Sequence, residues 1–352
     1  MGMNDEMKRR LRQGIVIPAM PLALTEQREF DRRAQRSLVR YYMDAGAGGI
    51  AAAVHTTQFE IRKSEHGLLE PVLRETAEAA RAWKGGDQLL LVAGVCGKGD
   101  QAENEAKLAR DLGYDAALAS LSAYKGATNS ELLRHCRRVA AILPVFGFYL
   151  QPAVGGRVLD YDFWRAFAEI ENVVAVKIAP FDRYKTLDVI RAVADAGRLG
   201  DVSLYTGNDD TILVDLLTDF RLAGEAGEVH ARISGGLLGH WSVWTRKMVE
   251  LLDRVKRVRS GSEPLTADLL TLAAQTTDAN GAFFDAAHSY AGVIPGIHEV
   301  LRAQGLLAGT WCLNPTERLS PGQLEEINRV RRGYPHLADD DFVRDNLERW
   351  RA

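Results

Sequence analysis

A lysine inside an apolar run is the residue of this sequence best suited to covalent chemistry. Lys177 lies in VVAVKIAP, flanked by Val176 and Ile178. An ammonium is strongly hydrated, so a charged lysine in a buried strand is costly. Burial lowers its pKa, and a neutral amine is the nucleophile that forms a Schiff base with a ketone. The competing reading is a lysine at a strand end, its stem on apolar surface and its head in water. Tyr149 closes the preceding apolar run, PVFGFY. A phenol beside an imine can relay protons as general acid and base. Alone, the same tyrosine reads as a half-buried core residue with its hydroxyl at the surface.

Other reactive types sit where apolar runs end. One run leads to His55-Thr56-Thr57-Gln58, another to Thr206-Gly207-Asn208-Asp209-Asp210, a third to Ser234-Gly235-Gly236. His55 can carry a proton near neutral pH, or fill a loop position. Gln58 and Phe59 read as pocket lining or as subunit-interface residues. Asp209 and Asp210 suggest metal ligands, but adjacent acids also start a helix well, because carboxylates favour its N-terminal dipole. The stretch Ser234–Gly239, SGGLLG, read as a loop before a helix, can cradle phosphate. That supports a different class of function, an isomerase or lyase of a phosphorylated substrate working without an imine.

The elements that position these residues alternate. Short apolar runs at Gly14–Met20, Gly49–Val54, Leu89–Val95, Asp115–Ser120, Pro144–Tyr149, Val173–Ile178, Val202–Thr206 and Val229–Ser234 read as strands. None alternates cleanly, as expected of parallel strands buried on both faces. Helical patterns lie between them. Tyr161–Glu171 puts Phe163, Trp164, Phe167 and Ile170 on one face, and Ser130–Ile142 follows the cap-type pair Thr128-Asn129. Strand and helix repeated eight times predict an α/β fold, a closed (β/α)8 TIM barrel. A doubly wound open sheet is the alternative, and no GxGxxG follows the first strand to support it. Past about residue 240 the pattern turns helical, at Trp241–Arg257, Leu265–Ala287, Gly296–Gln304 and from Ser320 onward. The division expected is an N-terminal extension (1–13), a catalytic barrel (14–240) and a C-terminal helical region (241–352) packed on it.

Composition narrows the function classes. The 352 residues are 46% hydrophobic and 26% charged, which argues against disorder. Lys+Arg 44 against Asp+Glu 47, a formal charge of -3, gives no reason to expect nucleic acid or an anionic membrane as partner. The three cysteines, Cys96, Cys136 and Cys312, lie far apart without metal-site spacing. No apolar run approaches the ~18 residues of a membrane span, and the polar start lacks a signal peptide's apolar core. A cytoplasmic protein is expected, needing no cofactor and no metal.

Taken in order, GIVIPAMPL, VHTTQ, LPVFGFYLQP, VVAVKIA, YTGNDD and RISGG resemble the dihydrodipicolinate synthase / N-acetylneuraminate lyase family over roughly residues 14–320. The resemblance implies a (β/α)8 barrel that condenses or cleaves 2-oxo acids, commonly pyruvate, through a lysine Schiff base. It would make Lys177 the imine-forming lysine and Tyr149 the tyrosine that shuttles protons. Thr56 and Thr57 match the hydroxyl pair of a Gly-Thr-Thr-Gly-Glu loop that holds the substrate carboxylate. Tyr124, in LSAYKG, matches the second tyrosine of a Pro-Tyr-Tyr element that reaches into a neighbouring subunit's site, which implies a homo-oligomer, a tetramer. Asp209 and Asp210 match a region that contacts substrate hydroxyls in the sugar-acid lyases, and Ser234 and Gly235 match a pocket-lining strand end.

The departures are specific. Both loop glycines are gone, replaced by His55 and Gln58, and Phe59 stands where the family has its acid, so the loop is expected to follow another path. Val154 occupies the position where the synthase branch has arginine, with Arg157 three residues on, which argues against lysine biosynthesis. Arg221–Glu228 lengthens the last crossover. The reading is a Schiff-base lyase or aldolase acting on a 2-oxo acid and an aldehyde. Dehydratase and hydratase-aldolase chemistry are the alternatives within the family, and a non-catalytic 2-oxo-acid sensor is the alternative outside enzymes.

Overall fold

The computed structural model describes residues 2–224 and 227–352. Its strands, in chain order, are β1 (Val16–Pro18), β2 (Gly49–Ala52), β3 (Leu90–Val95), β4 (Ala116–Ala119), β5 (Val145–Leu150), β6 (Val173–Ala179), β7 (Ser203–Thr206), β8 (Phe220–Gly224), β9 (Gly227–Ala231) and β10 (Ile233–Leu238). One eight-stranded sheet runs β1-β10-β7-β6-β5-β4-β3-β2. Its two end strands are themselves bridged in parallel at Ala19 and Ala51, where Met20 N–H donates to Ala51 O at 2.8 Å. This is a (β/α)8 barrel with a C-terminal helical part. Its strands are apolar on both faces, as parallel strands covered by helices must be; no residue of β3, β4 or β6 is exposed.

One expected strand is misplaced. Val229–Ser234 spans two elements. Gly227–Ala231 pairs antiparallel with Phe220–Gly224 in a separate hairpin, and the barrel strand is Ile233–Leu238. The lengthened crossover is that hairpin; its residues 225–226 lie outside the described residues. Ser234–Leu238 is therefore strand rather than loop, and Gly239 leads into the turn at His240–Ser242. The strand's backbone groups serve the ladder to β7, so the phosphate cradle is not formed.

The chain packs as two units. The first comprises Met1–Ile15 and Leu90–Leu237. Within it, helix Tyr161–Ala168 lays Phe163, Trp164 and Phe167 against β5. Gly147 makes this possible, since a Cβ there would fall 2.6 Å from a Phe167 ring carbon. Helix Asp5–Gln13 lies against the start of β7 and β10. The Tyr205 hydroxyl donates to Leu11 O at 2.9 Å and accepts from Ile15 N–H at 3.2 Å.

The second unit comprises Val16–Leu89 and Leu238–Ala352. The tail thus clusters with the first strands and helices. Helix Asp340–Arg351 packs on helix Arg32–Ala45, where Trp350 donates to Asp44 at 2.6 Å and Tyr41 to Asp339 at 2.9 Å. The first tail helix begins at Thr245 rather than Trp241, after a tight turn at His240–Ser242. The helix expected from Ser320 begins at Gln323: Ser320 N–H donates to Gln323 Oε1 at 3.1 Å while its hydroxyl goes to Asp285. Among the described residues no helix is long and apolar enough to cross a membrane.

Candidate active site

Lys177 is 8% exposed in a strand otherwise built from Val, Ile and Ala. Burial pulls its amine down from 10.5 to about 8, and the carboxylate of Asp209 partly opposes that fall. The ring of Phe148 lies beneath it, with the Nζ 4.6 Å from the centroid. Gly207 packs against its stem; a Cβ there would come 2.6 Å from Lys177 Cε and 2.7 Å from Ala179 Cβ.

Tyr149 does not face this amine. In the ladder between β5 and β6, Phe148 pairs with Lys177 and Tyr149 with Ile178. Side chains alternate along a strand, so Phe148 shares the inward face with Lys177 while Tyr149 points outward. Its ring meets Trp164 of the covering helix at 5.4 Å, and its hydroxyl accepts from Leu159 N–H at 3.2 Å. Burial raises its pKa, and the carboxylates that add to this, Asp182, Asp188 and Asp160, belong to the outer helices or cap them. The register thus does not bring Tyr149 beside the amine: an apolar ring stands at the inward position.

The turn after β7 is held by a buried carboxylate. Asp215, fully buried, accepts from Thr206 Oγ1 at 2.6 Å, from Asn208 Nδ2 at 3.0 Å and from Arg183 at 2.6 Å. Asn208 also donates to Thr186 and accepts from Phe181 N–H. With Thr206 and Asn208 tied outward, Asp209 follows at 5% exposure. The Asp210 carboxyl is raised by its burial. Helix Ile212–Leu217 begins just beyond, the helix start that adjacent acids favour. Among the described residues no three His, Cys, Asp or Glu side chains gather as a metal site.

The hydroxyl pair belongs to the second unit. His55–Thr57 form one tight helical turn. Thr56 donates to Ala19 O at 2.6 Å and Thr57 to Met20 O at 2.7 Å, so both hydroxyl protons are committed to backbone carbonyls. The His55 ring lies 5.9 Å from that of Phe59. Gln58 has φ 67, the conformation glycine takes at no steric cost, although glycine is absent. Its side-chain amide oxygen, Oε1, accepts from Leu313 N–H at 2.6 Å, which fixes the strained residue to the tail. Sequence reading missed this anchor, because nothing in the local motif points to a residue so far along the chain.

The remaining candidates fall elsewhere. The Tyr124 hydroxyl lies 3.1 Å from His135 Nδ1 and accepts from Gly99 N–H at 3.3 Å, all within its own chain. Ser234 and Gly235 open β10 rather than close it. A Cβ on Gly235 would meet Ile15 backbone at 2.5 Å and the Tyr205 ring at 2.9 Å, so a side chain at this point would run into protein. The first unit thus brings together Lys177, Phe148, Gly207 and Asp209, and leaves Tyr149, Tyr124 and Ser234 outside that group.

The family model described as the Dihydrodipicolinate synthetase family matches residues 12–229. Similar solved structures include dihydrodipicolinate synthase from Oceanobacillus iheyensis, 19% identical over 94% of this chain and 100% of that one, TM-score 0.75. The chloride-inhibited dihydrodipicolinate synthase from Acinetobacter baumannii complexed with pyruvate is 21% identical over 91% and 98%, TM-score 0.72. N-acetylneuraminate lyase from Fusobacterium nucleatum is 17% identical over 92% and 99%, TM-score 0.71. At these identities the likeness speaks for the fold alone. None of the curated proteins matches the chain significantly.

Proposed function

The chain belongs to the dihydrodipicolinate synthetase family, and from that premise we propose that Lys177 forms a Schiff base with a 2-oxo acid, pyruvate or a pyruvate-bearing adduct. Family membership makes it a class I lyase or aldolase in general terms. The finer reading is carbon–carbon cleavage or condensation between the 2-oxo acid and an aldehyde, with dehydration as the alternative outcome of the same imine. The observation that carries it is a buried amine at an inward strand position, with its proton weakened by burial. Pyruvate in a solved relative of the same fold supports the choice of acid. A role for Tyr124 in a neighbour's site would require assembly, and a tetramer is read by sedimentation.

Incubation with pyruvate and borohydride tests the reading. A reduced pyruvyl adduct on Lys177 is expected. Binding of pyruvate without any adduct leaves a sensor, and no binding at all removes the 2-oxo-acid reading.

Imine formation also has an expected pH profile. Only the neutral amine attacks, so the rate should rise with pH. With the amine at about 8, the neutral share is roughly a tenth at pH 7 and about half at pH 8. The trapping rate should climb between pH 6 and 8 and flatten above pH 9. A climb that continues past pH 10 would mean an ordinary, solvated lysine.

Gly207→Ala places a methyl group where Lys177 Cε and Ala179 Cβ already lie. Displacement of the amine by about 1 Å costs on the order of 100-fold in rate. The trapping rate should fall by about that factor, with little change in overall secondary structure by circular dichroism.

A further inference from the structure

Imine chemistry needs a group that takes and returns a proton at the carbon beside the imine. The strands of the first unit offer few. Across β3–β7 and β10 the titratable side chains are Tyr149, Lys177 and Tyr205. Tyr149 faces outward and its hydroxyl receives Leu159 N–H. The Tyr205 hydroxyl already has two partners, Leu11 O and Ile15 N–H, and burial pushes its pKa far up. Beside Lys177 on the inward face stands Phe148, which has no proton to exchange.

The next candidates are on the loops that leave the strands. β7 is the hydrogen-bonded neighbour of β6, with Tyr205 in register with Lys177. Its continuation, Gly207, touches the Lys177 stem, and Gly207 N–H is bonded to Ile178 O at 2.7 Å. Two residues on, Asp209 is 5% exposed and near enough for its charge to act on the amine. The bonds of Thr206 and Asn208 to Asp215 hold the turn on both sides of Gly207.

We propose that the Asp209 carboxylate, in the turn that follows Gly207, is the proton carrier of this site, in the role that Tyr149 does not fill. The inference rests on the Schiff-base reading above. The Lys177 lone pair forms the C–N bond at C2 as the carbonyl π pair moves to oxygen. The nitrogen gives up its two protons, that oxygen takes up two protons and leaves as water, with one proton drawn from solvent where the amine began neutral and the imine ends protonated. Asp209 then removes a C3 proton. The C–H pair becomes the C=C bond, and the C=N pair returns to nitrogen, giving the enamine. Return of a proton from the carboxyl to C3 reverses the step.

The test separates this step from imine formation. The protein is incubated with pyruvate in D2O, and loss of the methyl proton signal is followed by NMR, with borohydride trapping in parallel. Asp209→Asn should still be labelled at Lys177 but exchange methyl protons about 100-fold more slowly or worse, across pH 7–9. Tyr149→Phe should exchange within about two-fold of the parent, because its hydroxyl accepts from Leu159 N–H on the outer side of the strand. Wild-type exchange in Asp209→Asn, or loss of exchange in Tyr149→Phe, overturns the assignment while leaving the imine intact. A parent protein that traps no 2-oxo acid overturns the Schiff-base reading, and the assignment with it. If Asp209→Asn does not fold, Asp209→Glu decides. It keeps the carboxylate one methylene further out and should retain measurable exchange; trapping without any exchange in Asp209→Glu, at wild-type fold, counts against the proposal.

Discussion

Lys177→Met is expected to abolish the pyruvyl adduct and lower turnover by roughly 10⁴-fold or more, while leaving the protein more stable at pH 7. Methionine fills much the same volume and has no charge to desolvate. The amine is near 8 in the folded protein against an ordinary 10.5. The unfolded chain therefore holds this proton more tightly, and folding stability rises with pH between about 8 and 10.5. Below pH 8 the penalty is constant, on the order of 3 kcal/mol, and the variant escapes it. Its advantage should appear in urea unfolding at pH 7 and vanish above pH 10.5. A variant less stable than the parent at pH 7, or one still labelled by pyruvate, contradicts the picture of a strained amine.

Asp215→Ala should cost about 3 kcal/mol, read as a lower urea midpoint at unchanged slope. The carboxylate is fully buried and holds Thr206, Asn208 and Arg183 at once. Burial raises its pKa despite these donors, so its environment is expensive and relies on every bond being made. Alanine leaves a hydroxyl and an amide without their acceptor. Arg183 is 37% exposed and can turn to water, which keeps the figure from being larger. Because Asn208 precedes Asp209, methyl exchange should slow as well. Asp215→Asn, which keeps shape and part of the bonding, should lose less than half as much. A loss under 1 kcal/mol for alanine would mean that the turn is held by its backbone alone.

Much of the barrel was legible because a parallel strand buried on both faces is a bare apolar run, and seven of the eight expected runs overlap the observed barrel strands within a few residues. The eighth misled because β9 and β10 follow each other with one residue between, and the hairpin strand carries the β-branched Val229 that a barrel strand would. Lys177 stood out for an elementary reason: a charge in such a run has to be explained. Tyr149 did not reveal its direction. VFGFYL is apolar on both faces, so alternation does not mark the inward one, and a register shift between Val145 and Phe146 changes which face later residues take. One residue of phase separates a phenol beside the amine from a phenyl ring there. The grip of Leu313 on Gln58 joins positions far apart in sequence, and no local pattern encodes it.

The opening helix has a consequence for the amine. Asp5–Gln13 is bolted to Tyr205 through Leu11, and Tyr205 shares its ladder rung with Lys177. Shaving off those first turns would strip the phenol of its acceptor and let solvent seep in from beneath. A wetter floor would restore the lysine's appetite for its proton, so the chain without this helix is expected to trap pyruvate more slowly at pH 7 than the full chain.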